Sequence, residues 1–110
     1  MSYTYCKDKY PRTIEEFETI VEDMIKVFCS KQKDYGPSNI GMGAETIDTE
    51  EQKKKSLMAL SVRMNDKVQR MLNLTMNNLD PENETIEDTF KDLAIYSVMG
   101  LIVSRKVWGK

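Results

Sequence analysis

The chain reads as an all-α protein. Apolar residues recur at three-four spacing in three separate stretches, two of those stretches open with the spacing of a capping box, and glycine and proline gather between them. These signals predict three main helices, at about residues 14–31, 50–76 and 85–106, with a long loop at about 32–49. At 110 residues the chain makes one modest core, read as a helical domain over about 13–107 behind an N-terminal arm over 1–12. Homo-oligomerisation is expected to complete the bundle, because three helices cover an apolar third helix poorly.

Residues 1–12 are aromatic and basic and end at Pro11, which reads as an arm. Thr13 followed by Glu16 has capping-box spacing, and Ile14, Phe17, Val21, Met24 and Phe28 form the stripe of the first helix. From Lys31 the pattern breaks into Lys-Gln-Lys-Asp-Tyr-Gly-Pro-Ser-Asn, then Gly41 and Gly43, and this loop is the best candidate for a lid. The second helix starts near Thr49, with Leu57, Leu60, Met64, Val68 and Met71 as its core stripe. Asn77, Asn78, Asp80 and Pro81 supply a turn, and Thr85 with Asp88 opens the third helix. The connection is short, so the second and third helices are expected to pack antiparallel. Ser97, Gly100 and Ser104 lie on a common side of the third helix and would let another helix approach closely.

Composition removes several chemistries. There is no histidine, which excludes Ser/His and Cys/His nucleophile pairs, imidazole bases and histidine metal sites together. If the chain is catalytic, carboxylates with a hard cation such as Mg²⁺ are the natural remaining chemistry. The formal charge of -2 argues against broad binding to duplex nucleic acid, while leaving a small anionic ligand open. Cys6 and Cys29 fit reduced thiols rather than a disulfide framework. The longest apolar run, Leu93–Val103, is too short to span a bilayer, so the expected setting is cytoplasmic with no membrane partner.

The richest stretch is the run from Asn83 to Val103. Asp88 and Asp92, four apart, share a helix face that continues through Ile95, Met99 and Val103, which puts acids at the mouth of an apolar stripe. Such a pair either holds a divalent cation or accepts hydrogen bonds from basic side chains; alternatively Asp88 only complements the helix dipole and Asp92 pairs with Arg63 or Arg70. Arg63, Asp66, Lys67 and Arg70 make a dense charged face on the second helix. It is either a solvated face or, if the third helix turns its acids toward it, one wall of a groove suited to phosphate oxygens. Lys33 and Tyr35 follow the first helix; either Lys33 favours the dipole of its C-terminus and Tyr35 opens a Tyr-Gly-Pro turn, or they supply a phosphate contact and a base or ribose contact.

The ordered set Lys33-Asp34-Tyr35-Gly36, then Arg63-x-x-Asp66-Lys67-x-x-Arg70, then Glu87-Asp88-Thr89-x-x-Asp92-Leu93-Ala94-x-Tyr96, resembles the small phage and bacterial family called the first nucleotide-modification-associated domain. The resemblance covers roughly residues 14–105, and that family looks like a relative of the all-α MazG-type nucleoside triphosphate pyrophosphohydrolases. It implies an α-helical, often oligomeric protein that handles nucleotides, in the host cytoplasm if phage-encoded. MazG-type enzymes hold Mg²⁺ with a Glu-x-x-Glu helix and a Glu-x-x-Asp helix. Here those positions read Arg63-x-x-Asp66 and Thr89-x-x-Asp92, so Asp66 and Asp92 match, two carboxylates do not, and Asp88 is offset.

Two readings follow. In the first, Asp66, Asp88 and Asp92 hold Mg²⁺ and serve catalysis in a nucleotide pyrophosphohydrolase, while Lys33, Tyr35, Arg63, Lys67, Arg70 and Tyr96 bind the ligand. In the second, the same basic side chains hold a nucleotide or cyclic nucleotide without turnover, as an accessory of modified-nucleotide metabolism or a sponge for a host signal. A helical interaction module that binds no nucleotide is the plainer alternative.

Overall fold

Four α-helices and no strand form the chain: α1 (Ser2–Lys9), α2 (Pro11–Tyr35), α3 (Glu50–Met76) and α4 (Ile86–Ser104). The computed structural model describes all residues 1–110, and they divide into two compact units, Met1–Asp34 and Tyr35–Lys110. The helix count departs from the expected three because the N-terminal arm is itself a helix.

In the first unit, α1 is held by local contacts. Lys7 Nζ donates to the Tyr3 hydroxyl at 3.4 Å and Lys9 Nζ to the Tyr5 hydroxyl at 3.1 Å, both one turn away, and each ammonium lies 5.5 Å from its tyrosine ring. Tyr10, with φ -128° and ψ 60°, breaks the helix. The Tyr3 hydroxyl then donates to Glu18 Oε1 at 2.6 Å; on one continuous helix those residues would stand about 22 Å apart, so the chain must bend between them. Pro11 opens α2, where its missing N–H costs nothing. Thr13 and Glu16 are therefore already inside the helix, and α2 runs on to Tyr35. No residue of α1 or α2 is buried; Phe17 and Val21 of the apolar stripe are exposed, as are Ile20 and Ile25 beside it.

In the second unit, Thr49 caps α3: its hydroxyl accepts from Gln52 N at 3.1 Å while Gln52 Oε1 accepts from Thr49 N at 3.1 Å. The expected Thr85–Asp88 box opens α4 in the same way, with Thr85 Oγ1 accepting from Asp88 N at 3.0 Å. Helices α3 and α4 are antiparallel. Glu50 at the start of α3 pairs with Lys106 beyond the end of α4, and Lys67 late in α3 pairs with Asp92 early in α4.

The core of this unit consists of Leu60 from α3, Ile95, Met99 and Val103 from α4, and Ile40, Ile47 and Trp108 from outside the helices. The α4 stripe is the expected one. On α3 only Leu60 of the five expected core residues is buried, and Val68 is exposed, because the loop and the C-terminal tail cover a side of the hairpin that the helices alone do not. The loop is thus part of the core and not a lid. Ile40 and Ile47 are 2% and 0% exposed, and the Trp108 indole Nε1 donates to the Pro37 carbonyl at 3.0 Å. Gly109, at φ +76°, lets the tail pass so close that an added Cβ would lie 2.0 Å from the Glu45 carbonyl oxygen. Lys110 and Lys106 add ion pairs to Asp48 and Glu50, both at 2.6 Å. Hydrogen bonds to these lysines hold the Asp48 and Glu50 carboxyls below the usual range, helped at Asp48 by the Thr46 hydroxyl. No helix is long and apolar enough to cross a membrane.

Candidate functional site

Arg63, Lys67 and Arg70 stand at i, i+4 and i+7 on one face of α3, so their side chains line up along the helix. That face meets the N-terminal half of α4 and the end of the connection before it. The Lys67 ammonium lies 2.5 Å from Glu84 Oε1 and 2.9 Å from Asp92 Oδ2, so it bridges the two acids. Burial by itself would lower the Lys67 pKa, but the hydrogen bonds and charges of Glu84 and Asp92 outweigh it and hold the ammonium above the ordinary lysine value.

Arg70 ties the connection to the hairpin. Its Nη1 donates to Thr89 Oγ1 at 2.6 Å, its Nη2 donates to the Glu84 carbonyl, and Nη1 lies 3.9 Å from Glu84 Oε1. Thr89 is fully buried, and its hydroxyl donates to the Thr85 carbonyl at 3.2 Å while accepting from Arg70. Arg63 is held far less firmly: its Nη2 donates to the Asn39 carbonyl at 3.5 Å. The antiparallel register that pairs Lys67 with Asp92 and Arg70 with Thr89 sets half-buried Tyr96 level with Arg63. The seam therefore carries three cations against two carboxylates, and Arg63 is the cation with the most free donors.

The expected site residues are distributed unevenly. Lys67, Arg70 and Asp92 come together, with Arg63 and Tyr96 one turn further along. The expected three-acid cation set does not assemble: no group of three or more acidic or cysteine side chains is close enough to hold a metal ion. The reasons are local. Asp66 is exposed on α3, Asp88 is exposed with its carboxylate accepting from Thr85 N at 3.4 Å in the capping box, and Asp92 is paired with Lys67. Lys33 lies in the last turn of α2 in the first unit, Tyr35 ends that helix and opens the second unit, and both are exposed.

Glu84 is the seam residue that sequence reasoning missed. It stands four residues before Asp88 and eight before Asp92, but it precedes the first residue of α4, where helical spacing does not apply. The Lys67–Asp92 pair gives Asp92 a partner on α3 that the expectation of Arg63 or Arg70 had passed over, since cross-helix register is set by packing and does not appear in either helix alone.

Residues 31–103 match the family described as nucleotide modification associated domain 1. No curated protein and no solved structure matches the chain. The matched segment takes in the end of α2, the core-forming loop, all of α3, and α4 up to the buried Val103, and hence every residue of the charged seam. With well over half of its length matched, the chain belongs to the nucleotide modification associated domain 1 family.

Proposed function

We propose that the chain binds a nucleotide through its phosphates along the α3/α4 seam, with Arg63 as the primary contact. The observation that carries this reading is the contrast in commitment among the three cations. Lys67 and Arg70 are spent on Glu84, Asp92 and Thr89 at 2.5–2.9 Å, whereas half-buried Arg63 makes a single 3.5 Å bond to a carbonyl. A guanidinium with free donors in a fork suits a phosphate, and the fixed positive charge of Lys67 and Arg70 behind it adds to the local potential. Tyr96, level with Arg63, is placed for a ribose or base edge. Membership of a nucleotide-associated family supports a nucleotide over other phosphates.

In this reading Asp92 and Glu84 position Lys67 and do not hold a cation. The acids of one chain do not fit Mg²⁺, so no catalytic step is derived through it. The function supported best is thus retention of a nucleotide, cyclic forms included, as part of modified-nucleotide metabolism or sequestration.

The test is a panel of ribo-, deoxyribo- and cyclic nucleotides, read by thermal shift and by chromatography of the recovered ligand. At least one nucleotide is expected to raise the melting temperature. Arg63→Ala should weaken its binding by about 10-fold or more while leaving the melting temperature of the ligand-free protein nearly unchanged, and Arg63→Lys should recover only part of it. Intact nucleotide recovered after incubation with Mg²⁺ supports retention. Release of pyrophosphate, lost in Asp92→Asn, would replace this reading with the pyrophosphohydrolase one. No shift across the panel would leave the interaction-module reading.

A further inference from the structure

The side of α4 that turns away from the core is also apolar, and it carries opposite charges at its two ends. Glu87 and Arg105 are eighteen residues apart, about five whole helical turns, so they share one line along the helix. Between them on that side lie Phe90, Ala94, Val98 and Leu101, spaced three and four apart. Phe90, Val98 and Leu101 are 59%, 44% and 56% exposed. Ser97, near the middle of the helix, donates its hydroxyl to the Leu93 carbonyl at 3.0 Å, so it offers neighbours a small side chain with its donor already used. Gly100 is turned inward instead: a Cβ there would meet Leu57 Cδ2 of α3 at 3.9 Å.

We propose that this face is covered by the same face of a second copy, with the two α4 helices antiparallel about a two-fold axis between Ala94 and Val98. Charge complementarity selects this occupant and this direction. Antiparallel pairing sets exposed Glu87 of each copy against Arg105 of the other at both ends, whereas parallel pairing sets like charges together. At the centre, Ala94 and Ser97 are small enough for close approach, and Phe90, Val98 and Leu101 flank them. The interface is thus a single antiparallel α4–α4 contact that joins two hairpins through the side of α4 that turns away from α3. The inference is independent of the nucleotide reading.

The experiment is sedimentation of the full chain between about 1 and 100 µM, a range that resolves association of micromolar strength. A dimer is expected, and Leu101→Asp should leave a monomer with unchanged helical circular dichroism. Glu87→Arg and Arg105→Glu should each weaken association by about 10-fold at low salt, and the double reversal should restore it. A wild-type monomer throughout the range would overturn the proposal and leave the face to a different partner. A dimer that survives Leu101→Asp but is lost in Val21→Asp would move the interface to α2 and overturn it equally. Failure of the double reversal to restore association would overturn the antiparallel register.

Discussion

Lys67 is the residue on which the seam turns. Its side chain is 21% exposed and stands between Glu84 and Asp92, which are 31% and 18% exposed, so each carboxylate has a cation at hand and the cation has two. Lys67→Met keeps most of the aliphatic stem but takes the bridging charge away from two half-buried acids, with the Arg70 guanidinium 3.9 Å from Glu84 as a more distant cation. The expected cost is about 1–3 kcal/mol, read as a lower urea midpoint with an unchanged slope. Asp92→Asn should cost less, because Glu84 still serves the ammonium. The position of Asp92 was legible in the sequence: Asp92, Ile95, Met99 and Val103 recur on one helical face, and the last three are buried. Its partner was not, since a shift of one turn between two antiparallel helices exchanges Arg63, Lys67 and Arg70 as neighbours without altering the pattern of either helix.

At the scale of the element, the loop over residues 36–49 shows where local pattern runs out. Its glycines and proline predict irregular backbone correctly, yet Ile40 and Ile47 are core residues, and the loop is tied at the Pro37 carbonyl to buried Trp108, seventy-one residues further on. No window of sequence joins those positions. The N-terminal helix failed for the opposite reason: Pro11 reads as the end of an arm, while in the structure it is the first residue of α2, the position where proline is favoured. Helices α3 and α4 were legible to within a residue or two, α4 from its Thr85–Asp88 capping box and α3 from its apolar periodicity, while the Thr49–Gln52 box that caps α3 was not read and the one expected at Thr13 falls inside α2. The loop assignment carries a direct consequence. Trp108→Ala removes a buried side chain and its hydrogen bond to Pro37 and should cost about 3–5 kcal/mol. Gly109→Ala should also destabilise, since its Cβ would collide with the Glu45 backbone in a left-handed conformation. In both variants the amides of Gly41, Gly43 and Ala44, bonded within the loop to Pro37, Ser38 and Gly41, should exchange faster than those of α3. Exchange unchanged from the wild type would mean that the loop holds its shape without the tail.

For the whole molecule, the charged contacts predict how stability depends on pH. Asp48 and Glu50 have lowered pKa values, so what they contribute is present above the ordinary carboxylate range and is lost as pH falls through their folded values. Both lie at the surface, and their pairs with Lys110 and Lys106 are of the kind that salt screens. Lys67 is shifted in the other direction. Its pKa is raised, so its contribution is complete below the ordinary lysine value and is lost only as pH rises through the folded one. The melting temperature should therefore be flat near neutrality, with a shallow acid limb that salt removes and an alkaline limb that salt leaves largely intact. The difference between wild type and Lys67→Met isolates the seam. That difference should be constant from about pH 6 to 9 and shrink above about pH 10, as the wild-type ammonium loses its proton and both proteins come to hold Glu84 and Asp92 without a charge at position 67. A gap that stays constant to pH 11 would mean that Lys67 stabilises the seam by packing its stem and not by its charge.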